Sequence, residues 1–428
     1  MWRSAACSRK IAPFSWRFLT VIIAGCLLVL APGLLAGCSS AQTSYGNKTV
    51  ITEMDYWPNE PSNSAVNKLF QRYQQLHPNV VIQRDAVPFS SLLSKADQEA
   101  ASHTLPDLLM LDNPDLASFA SAGVLAPMDS YMQGNYSKAD FYAGPLSTMQ
   151  YGGKVYGFSV GNNDLALFYN KKMFTDAHLT PPTTWNELYQ DAKALTHGST
   201  YGFAFSATST EESTWQFEPF LWSNGGDLTN LGSPQSLQAL QFITSLVRQG
   251  YASQAALNWG QGDVEQQFVE GHAAIMENGP WNIPLLNQAK VDYGVVPFPV
   301  NMAGQQPTSP LGGEMWTIPT TNTRAQQASW DLVNWLEQPQ QLLQFDKAVG
   351  YIPEIKSTAQ TLLKSQPGLK VFADEFQTAR SRTAEVGPQY PAVSLTLQTA
   401  IQSALSNSNS PQDALSIARQ HIVSVMKG

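Results

Sequence analysis

The sequence predicts an α/β fold built on open, mostly parallel sheets with helices on both faces. Three observations carry this. Short apolar, β-branched runs alternate with stretches whose apolar residues recur at helical spacing. The order strand–helix repeats three times between residues 50 and 122. And Leu108-Leu109-Met110-Leu111 is continuously apolar, as a strand covered on both faces must be.

Residues 50–54 read as the first strand. Val66, Leu69, Phe70, Tyr73 and Leu76 then share one face of a helix that Pro78 ends. Residues 80–82 form a second strand, 91–102 a second helix, 108–111 a third strand, and 116–122 a third helix stopped by Gly123. In such sheets ligands gather beyond the carboxyl ends of the strands. That points to the loops 56–60 and 112–114. Further on, Thr184-x-x-Glu187 is a capping box that opens a helix to Leu195. Residues 201–205, 273–276, 294–297 and 316–319 are strand-like, 236–248 and 264–269 are helical, and the tail from Arg324 is almost wholly helical. No 20–50-residue repeat is present, which argues against a solenoid.

The N-terminus carries Arg3, Arg9, Lys10 and Arg17 ahead of a mainly apolar run from Phe18 to about Leu35. This is the layout of an export signal. It ends Leu35-Ala36-Gly37-Cys38, which resembles a lipobox, so residues 1–37 are expected to be a leader and Cys38 the lipidated first residue of the mature chain. The alternative is an uncleaved anchor, which Pro32 and Gly33 interrupt. Acyl chains on Cys38 would hold a soluble body at the membrane surface, and residues 38–48, poor in apolar side chains, read as a tether. The other cysteines, Cys7 and Cys26, lie in the leader, so the body has no disulfide and must rely on core burial. About 390 residues remain, which suits two domains.

The chain has 25 Lys+Arg against 33 Asp+Glu, and 21 against 33 without the leader. No basic patch suggests nucleic acid. The six His form no metal motif, so neither a metal nor another cofactor is expected. The 11 Trp and 15 Tyr exceed what a minimal core needs, and sugars offer apolar faces to aromatic rings.

Several segments converge on one family. They are Pro106-Asp107-Leu108-Leu109 leading to Gly123-Val124-Leu125-Ala126-Pro127-Met128-Asp129, and Gly153-Lys154-Val155-Tyr156-Gly157 running into Leu165-Ala166-Leu167-Phe168-Tyr169-Asn170-Lys171. Pro182-x-Thr184-Trp185-x-Glu187-Leu188 follows, then Phe268-x-x-Gly271-x-Ala273-Ala274-Ile275-Met276-x-x-Gly279-Pro280-Trp281, then Gly312-Gly313-Glu314-x-Trp316-x-Ile318-Pro319. In that order and spacing the chain resembles the family 1 extracellular solute-binding proteins, the maltose-binding-protein-like group of ABC importers. The resemblance implies a two-lobed, periplasmic-binding-protein-like fold with a multi-strand hinge. Lobe 1 would be 49–159 plus 312–350, and lobe 2 would be 160–311 plus 351–428. It also implies a sugar ligand, membrane permease subunits as partners, a monomer, and an extracytoplasmic location, with cell surface and periplasm both open.

Sugar capture needs ring faces and fixed donors and acceptors. Trp57 is a candidate stacking wall and Glu60 a hydroxyl acceptor, although Trp57 could equally be core. Asp112 and Asn113 end the third strand, where a turn is the alternative role. Asn163 falls where the family often places a polar contact. Glu218, Phe220 and Trp222 alternate and could line the second lobe, or pack in its core. Trp281, after Gly279-Pro280, is the strongest stacking candidate. Gly312, Gly313 and Glu314 sit at the second crossing, as contacts or as hinge, and Tyr351 is a weaker candidate. Where some relatives put an aromatic, this chain has Val393-Ser394, which leaves the ligand's length open.

Other readings compete. Glycerol phosphate or a polyamine-like solute could replace the sugar. Gly157-Phe158-Ser159-Val160-Gly161 matches the hydrolase elbow G-x-S-x-G, but a helix should follow the Ser directly and does not. A glycosidase's paired carboxylates have no supporting motif. The expectation is a binding protein and no enzyme.

Overall fold

The structure is a computed structural model that describes residues 47–132, 136–376 and 378–427. The leader and Cys38 lie outside the described residues. The strands are β1 (Thr49–Asp55), β2 (Val80–Ala86), β3 (Leu108–Asp112), β4 (Gln150–Tyr151), β5 (Lys154–Val155), β6 (Gly157–Asn163), β7 (Ala166–Asn170), β8 (Tyr201–Ala204), β9 (Ala273–Asn278), β10 (Tyr293–Val296), β11 (Pro310–Thr317) and β12 (Arg380–Ser381).

In the first lobe β2, β1 and β3 pair in parallel, and the helices Ser62–Leu76 and Phe89–Ala101 connect them. The first of these helices buries Val66, Leu69, Phe70 and Tyr73, the face that helical spacing predicts. β3 is buried at every position. β11 then joins antiparallel to β3 and to β6. Trp316, on β11, is 1% exposed and anchors the core of this sheet.

The second sheet runs β10-β7-β9-β8. It corrects the expectation of a mostly parallel sheet in each lobe. Only β8 and β9 run parallel; β7 is antiparallel to both neighbours. β7 enters this sheet straight from β6, a strand of the first sheet, after two residues. Its side chains alternate between two cores. Leu165 and Leu167 pack with the helices Glu211–Ser223, Pro234–Arg248 and Tyr390–Leu405, whereas Ala166 and Phe168 pack with Leu362, Phe372 and Phe376. The capping box at Thr184 and Glu187 forms as expected. The tail is helical, except that β12 interrupts it and pairs with β11 at Pro310 and Leu311.

The chain crosses between the two lobes three times. Val160 packs in the first lobe's core and Leu165 in one of the second lobe's two; Leu311 packs in the other second-lobe core and Met315 in the first lobe's; Tyr351 packs in the first lobe's and Ile352 in the same core as Leu311. Backbone bonds tie two crossings together, from Asn162 N to Ile352 O (2.8 Å) and from Ile352 N to Asn162 O (3.0 Å). Glu337, Asp346 and Glu354 are buried, with no cation among the described residues beside their carboxyls, and Glu337 and Glu354 share a hydrogen bond. Burial pushes all three carboxyls up, Glu354 to about 7, and Glu354 adds to the rise of the other two.

Ser159 lies inside β6, fully buried, with its hydroxyl 3.2 Å from the Gly161 carbonyl. No helix follows it, so the G-x-S-x-G match has no elbow geometry. Among the described residues no helix is long and apolar enough to cross a membrane, and no cluster of metal-ligating side chains appears.

Candidate ligand-binding cleft

The last residues of β1, β3 and β6 converge on the middle of β11. Glu314 is the cross-strand partner of Asp112, and Gly312 pairs with Asn163. A side chain at Gly312 would collide with Asn163 Oδ1 and with the Trp215 ring, so the bare backbone there is what lets Trp215 lie against the crossing. The second lobe supplies the opposite wall. Glu211, Glu212 and Trp215 occupy the first turns of the helix Glu211–Ser223. Trp281 follows β9 on the turn Pro280–Asn282, and any side chain at Gly279 would overlap its indole.

Between these walls lies a cavity of about 280 Å³. Of the residues singled out from sequence, the structure gathers Trp57, Glu60, Asp112, Asn163, Trp281, Gly313, Glu314 and Tyr351 around it. Trp57 serves two ends: it is 6% exposed and packs on Phe345 with ring centres 4.8 Å apart, yet it reaches the cavity. Trp281 is half-buried and touches a core of each lobe. Glu60 is an exposed rim residue whose carboxylate accepts from Ser64 N at 3.3 Å. A second hollow of about 560 Å³ lies between the helices Phe89–Ala101 and Tyr390–Leu405 and shares Phe89, Asp112 and Glu211 as lining with the first.

Five candidates sit elsewhere. Gly312 stands behind the cavity, against Trp215. Asn113 is buried, donating from Nδ2 to Leu311 O at 2.9 Å. Glu218, Phe220 and Trp222 do not form the alternating face that their spacing suggested, because the segment is helix rather than strand. Glu218 is buried with an oxygen 2.9 Å from the Tyr390 hydroxyl, Phe220 packs on Phe298 with centres 4.8 Å apart, and Trp222 carries Arg380 over its ring.

Sequence reasoning reached the loop 56–60 without singling out Tyr56, and missed Glu211, Glu212, Trp215 and Arg382; all five line the cavity. A usable signal existed for three of them. Two acids opening a helix after a Ser/Thr-rich stretch mark an N-terminus, and Trp215 lies one turn on from Glu211. Arg382, an isolated charge in the tail, has no such signal.

The polar groups are specific in what they leave open. Both the Tyr56 and the Tyr351 hydroxyls donate to Glu314 Oε1, the latter at 2.9 Å, while Glu314 Oε2 has no partner. Burial pushes the Glu314 carboxyl up to about 8; the bond from Tyr56 pulls it down and nearby Asp112 pushes it further up. Burial also raises Glu211, and the Arg382 guanidinium opposes that. A guest hydroxyl, donor and acceptor at once, can complete groups of this kind, while indole faces cover its apolar side.

Two α/β lobes, crossed three times by the chain and facing each other over indoles and carboxyls, define a hinged solute trap. The profile of the bacterial extracellular solute-binding proteins matches residues 68–371, and the chain belongs to that family. It is 28% identical over 346 residues to a binding protein of Brucella abortus, covering 76% of this chain and 82% of that one. It is 25% identical to the maltotriose-binding protein of Pyrococcus abyssi, covering 78% and 73%. Its fold matches an ABC transporter solute-binding protein of Thermotoga lettingae solved with α-D-tagatose, with a TM-score of 0.81, 24% identity, and coverage of 89% of this chain and 100% of that one.

Proposed function

We propose that this protein captures a carbohydrate between its lobes and delivers it unchanged to the permease of an ABC importer. One observation carries the reading: Trp57, Trp215 and Trp281, drawn from both lobes, surround the same hollow as Asp112, Asn163 and Glu314. Ring faces and hydroxyls thus find their partners in one place. The second hollow beyond Phe89 gives room for more than one sugar unit, consistent with the oligosaccharide ligands named for several relatives. The moving bodies are 49–159 with 312–350, and 160–311 with 351–428, except that Val160 and Tyr351 pack with the first body. Both walls come from one chain, so a monomer suffices. Cys38 carries the lipid that keeps the trap beside its permease.

A catalytic role lacks support: Ser159 is locked in a buried strand, and the family is one of binding proteins. A phosphorylated solute would need a free cation. Arg382, the one basic side chain lining the described cavity, is already held by two carboxylates.

A thermal-shift screen of the purified protein tests the reading, because a ligand that binds the native state raises the melting temperature. The panel is maltose, maltotriose, mannobiose, α-D-tagatose, glycerol 3-phosphate and spermidine. A saccharide is expected to give the largest shift. A shift with spermidine or glycerol 3-phosphate alone would replace the carbohydrate, and turnover of any sugar would retire the transport role.

A further inference from the structure

Arg382 is 2% exposed and lines the cleft one residue beyond β12, which pairs with the start of β11, where Leu311 packs in a second-lobe core. Its Nη1 is 2.9 Å from Asp112 Oδ2 and 2.8 Å from Glu211 Oε1. Its Nη2 donates to Asp112 Oδ1 and, at 3.1 Å, to Asn113 Oδ1. Asp112 and Asn113 belong to the end of β3 in the first lobe, whereas Glu211 opens a second-lobe helix. The guanidinium also lies over the Trp215 ring, 4.6 Å from its centre, and 5.9 Å from that of Tyr390. One buried cation therefore touches a carboxylate on each lobe and an indole of the binding wall.

We propose that Arg382 is a cross-lobe latch: its bridge to Asp112 holds the lobes together in the cleft, and its stacking holds Trp215 facing the guest. Arg382 acts through these partners and is a positioning residue. The bridge from Arg382 to Glu211 stays within one lobe and survives opening. The bridge to Asp112 and Asn113 spans the lobes, so its free energy belongs to the difference between open and closed forms. A buried pair is costly to break, because each partner is then left without its counter-charge. The latch biases the empty protein toward closure, and a guest then needs less of its own binding energy to complete it. The proposal rests on the two-lobe closure reading above.

Small-angle scattering of the purified protein without added solute tests it. Arg382→Gln and Asp112→Asn are expected to raise the radius of gyration, shifting the open-to-closed ratio by roughly tenfold or more. Glu211→Gln alters only same-lobe contacts, to Arg382, Tyr390 and Ser394, and is expected to keep the wild-type radius. A purely structural role would lower the melting temperature of all three and leave the radius unmoved; that result overturns the latch, as does an equal expansion in all three. If Arg382→Gln does not fold, Asp112→Asn against Glu211→Gln carries the comparison. Expansion in the expected pair together with no saccharide shift in the panel keeps the latch and removes the carbohydrate reading. The opposite pattern removes only the latch.

Discussion

The two walls of the cleft are built from different parts. The first-lobe wall is made of strand ends: Trp57 after β1, Asp112 closing β3, and Glu314 on β11 beside it. The second-lobe wall comes mainly from the start of a helix and a single turn, with Glu211, Glu212 and Trp215 on one and Trp281 on the other. A strand end is fixed by its ladder on both sides, so its side chains are also core. A helix start is held on one side only, yet Trp215 is as buried as Trp57, 6% exposed, and packs in the second lobe's core. Both walls thus couple binding to stability, and only half-buried Trp281 is more independent of it.

The largest effect that sharpens this contrast is expected away from the cavity. Phe220→Ala, one and a half turns beyond Trp215 on the same helix, should lower stability by about 3–5 kcal/mol in a denaturant titration, because it opens a hole against Phe298 and Phe242. Its folded fraction should bind saccharide as wild type does; weakened binding would mean that the helix core and the wall are not separable. Next comes Trp215→Ala, expected to weaken saccharide affinity by about 2 kcal/mol, roughly thirtyfold, by calorimetry. Trp57→Ala should lower affinity and melting temperature together, since Trp57 also packs on Phe345 and Trp316.

A smaller effect concerns protons. Burial raises Glu314 to about 8 and Glu354 to about 7, so the native state holds protons that the unfolded chain, near 4.5, gives up. Their contribution to stability is full below about pH 4.5 and is lost as the pH rises through 7 and 8. Melting temperature should fall across that window, and Glu314→Gln should flatten part of the slope; an unchanged slope would show that Glu314 does not titrate there. The smallest effect is expected for Glu60→Ala, within about 0.5 kcal/mol of wild type in stability, because Glu60 is exposed and bonds only the start of its own helix.

The same contrast explains what the sequence made legible. Strand ends follow a topological rule, so Trp57 and Asp112 could be named from the order of elements, whereas Glu314 came from the resemblance that placed a crossing at Gly312 and Gly313. The segment from Phe217 to Trp222 failed because its apolar residues surround the helix. All of Phe217, Phe220, Leu221 and Trp222 are buried, which erases the 3.6-residue signature and leaves a false two-residue alternation. The antiparallel β7 was hidden for another reason: direction within a sheet depends on connections, not on composition. Arg382 lies 270 residues from Asp112, and nothing local announces that pairing.

The three crossings bear on how such molecules can be recombined. Neither lobe is written as one unbroken stretch, since β11 returns to the first sheet after the second has been nearly completed, and the final helices return to the second. Exchanging one lobe with that of a relative would need three simultaneous junctions, each inside a buried strand or loop. Shuffling by cassette is therefore closed to this architecture, and new solute preferences must arise by replacing residues one at a time around the hollow.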